Sequence, residues 1–430
     1  MNSAPTRRDF LKKSTVLAAS AGLFHVGRAE TSGLTLKVAL VGCGGRGGGR
    51  RGALANFIEA AGLLGHQVEI VAVADIFAEK ATQVAERFSV PANRVMVGAH
   101  AYQQVMETDA EFVILATPPN FRPIHLAAAV AADKHVFLEK PIAIDPPGVR
   151  HVMALGEEGR TKGLCLVAGT QRRHTLNYLT NQAKVEAGAI GEILGGVVMW
   201  NGTVPFMAPR QPGQSNRDYL LRNWINFVEM SGDHIVEQHV HNLDVANWFI
   251  GRTPVSAVGM GGRARRVTGN QYDFFSVDYD YGDGVHINSQ CRQMAGAYGR
   301  VGEMLRGTEG EVLGGGKLTG RDVSIPEIKV LSEDGMIQEH VDLIAGVLND
   351  APENRVQGVA ESTMTALMGR ISAYTGKLVR WRDLMDDENS PFYNLTLAPA
   401  ASEFVDNMDV AMPEEEIPVP GDGGEIRIRS

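Results

Sequence analysis

The chain has 430 residues, 44% of them hydrophobic, and its 50 Asp and Glu outnumber 41 Lys and Arg for a net charge of −9. That balance, with no basic stripe along the chain, excludes a nucleic-acid binder. Cys43, Cys165 and Cys291 are odd in number and far apart, which excludes a disulfide framework and a cysteine metal site, while the length and apolar content suffice for two domains.

Residues 1–29 read as a twin-arginine export signal. Thr6-Arg7-Arg8-Asp9-Phe10-Leu11-Lys12 precedes a modest apolar stretch over 14–24, and Gly27-Arg28-Ala29 ends in the small residue a signal peptidase accepts. The apolar stretch is far shorter than the roughly 20 residues of a spanning helix, so no stable membrane anchor is expected. A basic, disordered arm is the alternative. The five cations and one acid of this segment carry +4, which leaves −13 on the rest of the chain.

From residue 36 apolar runs of strand length recur at 36–42, 68–74, 112–117, 135–139 and 164–168, and stretches with helical spacing such as 53–64 and 77–88 separate them. Strands alternating with helices predict a parallel sheet covered on both faces, with a nucleotide-binding domain over 36–160. The turn Gly42-Cys43-Gly44-Gly45-Arg46-Gly47 closes the first strand. Gly42 permits the tight turn, Gly44 admits the pyrophosphate to the backbone, and Gly47 lets helix and strand pack closely. Gly45 and Arg46 complete the predicted phosphate loop.

Asp75 ends the second strand, where a carboxylate accepts hydrogen bonds from the adenosine ribose and repels a 2′-phosphate. Ile76-Phe77 beside it supplies no arginine, so the expected cofactor is NAD rather than NADP. A strand-end turn residue is the other reading of Asp75. Its distance from Gly47 exceeds the usual ~20 residues, and a longer crossover around 60–67 can absorb the surplus.

Two further segments lie at strand C-termini, where open parallel sheets put their ligands. Ala116-Thr117-Pro118-Pro119-Asn120 and Glu139-Lys140-Pro141 supply Thr117, Pro118, Asn120, Glu139 and Lys140 to the cofactor side. Pro141 biases Lys140 toward an extended backbone that holds its ammonium at the rim of the cleft. A solvated loop is the plainer alternative.

These segments, with Gly169-Thr170-Gln171-Arg172-Arg173 and the stretch 232–244, resemble the Gfo/Idh/MocA family of sugar and polyol oxidoreductases. The resemblance runs from 36 to about 385. It implies a second α/β domain over 161–385 on an open, mostly antiparallel sheet, whose face often forms a subunit interface, so that a homodimer or homotetramer is expected. It also implies carbohydrate substrates and a Lys and a His beside the nicotinamide.

Over 232–248 a 100° step per residue puts His234, Glu237, His241, Asp244 and Trp248 on one helix face. His239 falls on the apolar face as a core histidine. His241 matches the family's catalytic histidine, and Glu237 stands where the family usually has aspartate, so the predicted catalytic set is Lys140, His241 and Glu237. Zinc held by His234, Glu237 and His241 is the competing possibility.

Arg172 and Arg173 end a strand near the cleft, and Arg217-Asp218-Tyr219-Leu220-Leu221-Arg222-Asn223-Trp224 offers aromatic and bidentate groups suited to pyranose rings. Expected substrate contacts are therefore Arg172, Arg173, Tyr219, Arg222, Trp224, Asp244 and His241. A surface charge cluster and a half-buried loop are the respective alternatives. Strands are predicted at 255–260, 274–281 and 285–291, helices at 340–348 and 361–375, and a mobile tail or intersubunit arm over 386–430.

Export combined with a nicotinamide cofactor predicts NAD that is inserted before export and stays bound. A net oxidoreductase with two alternating carbohydrate substrates, a redox-neutral glycosidase or lyase like the α-N-acetylgalactosaminidase-type members of the family, and a carbohydrate-binding protein without turnover are the three functional readings. Fold cannot choose among them.

Overall fold

The computed structural model describes residues 33–397, 399–406, 410–413 and 420–421. The predicted export signal and parts of the predicted tail, among them 414–419 and 422–430, lie outside the described residues.

The alternating pattern builds a six-stranded, all-parallel sheet in the order β3-β2-β1-β4-β5-β6. Its strands are β1 Thr35–Val41, β2 Gln67–Asp75, β3 Val95–Val97, β4 Phe112–Leu115, β5 His135–Leu138 and β6 Leu166–Ala168. Strand order reverses between β2-β1 and β4, which places the ligand crevice at the C-terminal ends of β1 and β4. The C-terminal halves of the central strands are apolar on every residue because helices cover both faces; Val38, Ala39, Leu40, Val113, Ile114 and Leu115 are fully buried.

The surplus length before Asp75 lies elsewhere than expected. A single helical turn, Gly45–Gly48, follows the glycine turn, the chain bends through Gly49 to Gly52, and only then does the helix Ala53–Leu63 begin. The insertion is therefore at the start of the crossover, not around 60–67.

A second sheet of eight strands has the order β13-β12-β11-β7-β10-β9-β8-β14. These are β7 Ile193–Gly202, β8 Ser256–Gly262, β9 Phe274–Asp280, β10 His286–Gln293, β11 Arg300–Gly307, β12 Glu311–Val312, β13 Leu318–Thr319 and β14 Val379–Arg380. Every neighbouring pair is antiparallel except β7 with β10. Helices Val240–Ile250 and Val356–Thr375 cover one face. The second of these also meets helix Pro146–Thr161 of the first sheet, so it is buried nearly all round and shows almost no polar face.

Helix Gly335–Leu348 does not stay with the second sheet. It packs on helix Ala53–Leu63, and Ile337, Val341, Leu343 and Ile344 share a core with Phe57, Phe137 and Val167. Leu166 of β6 then hydrogen-bonds the backbone of Glu353 and Arg355. No helix among the described residues is long and apolar enough to cross a membrane.

The helix expected over 232–248 is broken. His234–Glu237 and Val240–Ile250 are separate helices, with Gln238 and His239 between them. Gln238 and His239 both donate backbone N–H groups to the carbonyl of His234, and Asp233 enters the first helix at φ 78°. The continuous helix face ends at this break: His234 meets Asp233 at 2.9 Å and the Phe275 ring edge-on. Among the described residues no three metal-ligating side chains converge.

Candidate active site

The glycine turn is shaped by contacts a side chain would destroy. Gly42 has φ 100°, and a Cβ on it would lie 2.7 Å from the Ala116 carbonyl carbon and 2.8 Å from the Thr117 nitrogen. A Cβ on Gly47 would overlap the carbonyl oxygen of Gly42, whereas one on Gly44 or Gly45 would stand in open space. The two open positions face a cleft of about 360 Å³ that Asp75, Thr117, Pro118 and Arg46 also line. The bare backbone there fits the close approach of a pyrophosphate.

Asp75 ties this turn to β2. One carboxylate oxygen accepts from the Cys43 N–H at 2.8 Å and the other from the Phe77 N–H at 2.9 Å, with lone pairs left over for ribose hydroxyls. Thr117 shares a 3.1 Å hydrogen bond with His125. Asn120 is buried, its amide lying 3.3 Å from the Met230 sulfur, and does not line the cleft.

Behind the turn, the Arg46 guanidinium pairs with buried Glu139 and lies 3.5 Å from Glu339 of helix Gly335–Leu348. Burial first, then the neighbouring Glu139 charge, push the Glu339 carboxyl well above its ordinary range. Glu139 needs Gly169 opposite it, where a Cβ would sit 2.6 Å from its carboxylate oxygen.

Lys140, one residue on, begins a cis Lys140-Pro141 bond and reaches across to the helix pair. Its ammonium donates to the Glu237 carbonyl at 2.5 Å and to the Glu237 carboxylate at 3.1 Å. His241 lies on the second helix, only 7% exposed, with its ring stacked on Trp200 at 5.8 Å and 21°. Burial first, then the charges of Lys140, Arg172 and Arg46, hold the imidazole well below its ordinary value of 6.5. It is neutral at neutral pH, and among the described residues no hydrogen bond occupies it.

Arg172 lies 5.9 Å from the Trp200 ring and donates to Glu303 of β11 at 2.5 Å. Glu303 also accepts from Asn242 at 2.6 Å and Tyr178 at 3.1 Å, and burial pushes its carboxyl up. Arg173 and Asp244 are occupied with each other through contacts of 2.8–3.1 Å, and Ser362 donates to Asp244 at 2.7 Å. Asp244 is 1% exposed, so this pair sits beneath the corner rather than at its mouth.

The predicted sugar-contact segment lies elsewhere. Arg222 and Trp224 line the cleft beside the glycine turn, where Arg222 covers the Phe77 ring at 3.8 Å and bonds Glu79 at 2.6 Å. Tyr219 packs on Phe227 and carries Arg210 over its ring. Lys140, Glu237 and His241 thus share one corner with Arg172, while Arg222 and Trp224 belong to the cleft. Trp200 and Glu303 complete the corner without any local sequence signal: each lies on a strand the hydrophobic pattern does not reveal.

A parallel sheet with a glycine turn at its switch point, joined to a mixed sheet that brings a histidine helix to the same crevice, defines a nucleotide-dependent enzyme architecture of two α/β layers. Two family models match in sequence: the oxidoreductase family with an NAD-binding Rossmann fold over residues 36–168, and the GFO/IDH/MocA C-terminal domain over 178–313. The chain belongs to the Gfo/Idh/MocA oxidoreductase family.

It is 25% identical over 187 residues to an inositol 2-dehydrogenase of Rhizobium meliloti, covering 44% of this chain and 49% of that one. It is 26% identical over 179 residues to the 2,7-anhydro-N-acetylneuraminate hydratase of Escherichia coli, covering 40% and 43%. The chain spans about half the length of the curated relatives it matches. The WlbA dehydrogenase of Bordetella pertussis, solved with NADH and UDP-GlcNAcA, superposes with a TM-score of 0.63 at 18% identity over 80% of this chain and 98% of that one, which establishes the shared fold.

Proposed function

We propose that this protein is an exported, NAD-dependent oxidoreductase acting on a CH–OH group of a sugar or polyol, with a nucleotide-binding domain over 36–160 and a substrate domain over 161–385. The observation that carries this reading is a lysine ammonium clamped by Glu237 beside a buried imidazole kept neutral. NAD bound in the cleft supplies the hydride acceptor. His241, uncharged and without a competing hydrogen bond, takes the proton of the substrate hydroxyl. Lys140 has a third N–H beyond the two given to Glu237, and donates it to the same oxygen as negative charge develops there. Trp200 and Arg172 offer an aromatic face and a donor for the rest of the ring.

The export signal over 1–29 would send the folded protein out through the twin-arginine machinery with its NAD in place. A homo-oligomer, dimer or tetramer, would form through the open face of the second sheet, where Val258, Met260 and Phe274 are exposed. Retained NAD must be reoxidised in place by a second carbonyl compound. The likeness to a hydratase favours a second reading, in which the substrate is oxidised, undergoes elimination and is reduced again, so that no net redox change results.

The test is to purify the exported protein without added NAD and follow absorbance near ~340 nm while adding free sugars, polyols and glycosides. A rise that persists until a second carbonyl compound is supplied identifies the net oxidoreductase. Glycoside consumption with the absorbance returned to its starting level identifies the redox-neutral route. No change in absorbance and no product with any substrate refutes both.

A further inference from the structure

Three segments, two from the connection after β7 and one from near the C-terminus, roof the cleft. The loop after β7 brings Phe206, the stretch 221–224 brings Arg222 and Trp224, and helix Ala401–Asp406 brings Phe404. The first is fastened from beneath by two asparagines. Asn223 accepts from the Ala208 N–H at 2.7 Å and donates to its carbonyl at 3.0 Å, and Asn226 donates to the Phe206 carbonyl at 3.0 Å. Arg222, over Phe77 and bonded to Glu79, fastens the second to the rim of the first sheet.

The third segment is held by one aromatic ring. Phe404 has no exposed surface and meets Phe121 edge-on at 5.7 Å. Phe121 stacks on His125 at 5.8 Å, and His125 hydrogen-bonds Thr117, at the floor of the cleft. Phe404 and Val410 join Phe77, Phe121, Leu220, Leu221, Phe227 and Met230 in an apolar cluster separate from the two main cores. Neutral amide hydrogen bonds hold the first roof piece and an ion pair the second, while this piece is held among the described residues by apolar burial around Phe404.

We propose that Phe404 is the pin of a latch: helix Ala401–Asp406 docks over the filled cleft, and the dinucleotide leaves only when Phe404 is withdrawn. The inference rests on reading the cleft as the NAD site. Withdrawal takes a fully buried phenylalanine into water, a step that slows release by a factor on the order of 100. The latch makes the cofactor a resident group rather than an exchanging substrate, and assigns that property to a segment outside both matched family regions.

The experiment measures exchange of bound NAD against labelled NAD in the full protein, in Phe404→Ser, in Phe404→Leu and in a chain ending at Leu397. The expected result is exchange on the order of 100-fold faster in Phe404→Ser and in the shortened chain, with Phe404→Leu within a few-fold of the parent, because leucine restores most of the buried area. Parent-like exchange in the shortened chain overturns the latch while leaving the cofactor site standing, and decides the matter even if Phe404→Ser does not fold. A parent protein that neither carries nor takes up NAD overturns the latch and the cofactor reading together.

Discussion

The cofactor cleft and the Lys140–His241 corner are neighbours built on opposite principles. The cleft is made of missing atoms: glycines, of which Gly42 and Gly47 would collide if enlarged, backbone N–H groups, and a mostly aromatic roof. The corner and the pair beneath it are made of charges, each answered by a partner: Lys140 by Glu237, Arg172 by Glu303, Arg173 by Asp244. The cleft should therefore fail when atoms are added and the corner when charges are removed.

Adding atoms gives the largest effect. Gly47→Val, whose Cβ would overlap the Gly42 carbonyl oxygen, is expected to abolish NAD binding, read by calorimetric titration and by the loss of co-purified dinucleotide. Removing a charge at the corner comes next: Lys140→Ala is expected to lower turnover by about 10³-fold or more while NAD remains bound. Unchanged turnover would refute the proposed chemistry.

Asp244→Ala separates the charge that supports the corner from the charge that acts there. It leaves Arg173 without its partner and is expected to cost about 3 kcal/mol in denaturant unfolding. A loss below about 1 kcal/mol would show that Arg173 finds water or another acceptor.

His239 gives a fourth, smaller contrast. It is fully buried, its Nε2 lies 2.7 Å from the Ser289 hydroxyl, and burial first holds its pKa down at about 3. The folded protein thus binds fewer protons than the unfolded chain as pH falls below 6.5. Stability from this group is fully present above that pH and is lost progressively as pH falls toward about 3. His239→Gln should remove about 1.4 kcal/mol per pH unit from the slope of stability between roughly pH 6 and 4. Identical slopes in the two proteins would mean that His239 is protonated in the fold. Smallest is Arg222→Ala, which opens the roof at one fastening and should raise the NAD dissociation constant several-fold, about 1 kcal/mol.

What the sequence made legible follows the same division. The glycine turn, Asp75, Glu139 and Lys140 lie within a few residues of strands that are mostly apolar runs, so residue spacing was enough to find five of the six parallel strands; β3, Val95–Val97, is three residues long and gave no such run. The middle of the second sheet was hidden. β7 begins with Ile193-Leu194-Gly195-Gly196, which reads as a loop, and β11 turns Glu303 into its buried row, which erases the alternation of a half-buried strand. Trp200 and Glu303 were lost with them.

The broken helix was missed for another reason. A steady 100° step assumes every backbone bond is continuous, and nothing in Val236-Glu237-Gln238-His239 announces a break. Nor does local sequence show how the first short helix is anchored: the Asp233 carboxylate that precedes it accepts from the Tyr272 N–H at 3.1 Å and the Tyr374 hydroxyl at 2.5 Å, contacts made by distant segments. Arg222 and Trp224 were expected at the carbohydrate by residue type, but that they line the cleft beside the glycine turn depends on a crossing between chain segments that residue type does not encode.

Helix Gly335–Leu348 gives the molecule an order of assembly. Its apolar side completes the layer over Phe57 and Phe137, so a ribosome that has released only the first 170 residues has made every strand of the parallel sheet yet left one flank bare to solvent. The nucleotide-binding half then cannot finish folding as an independent N-terminal unit. It must wait, with Phe57, Phe137 and Val167 accessible to chaperones, until another 180 residues of chain have emerged and the intervening sheet has swung the missing helix home.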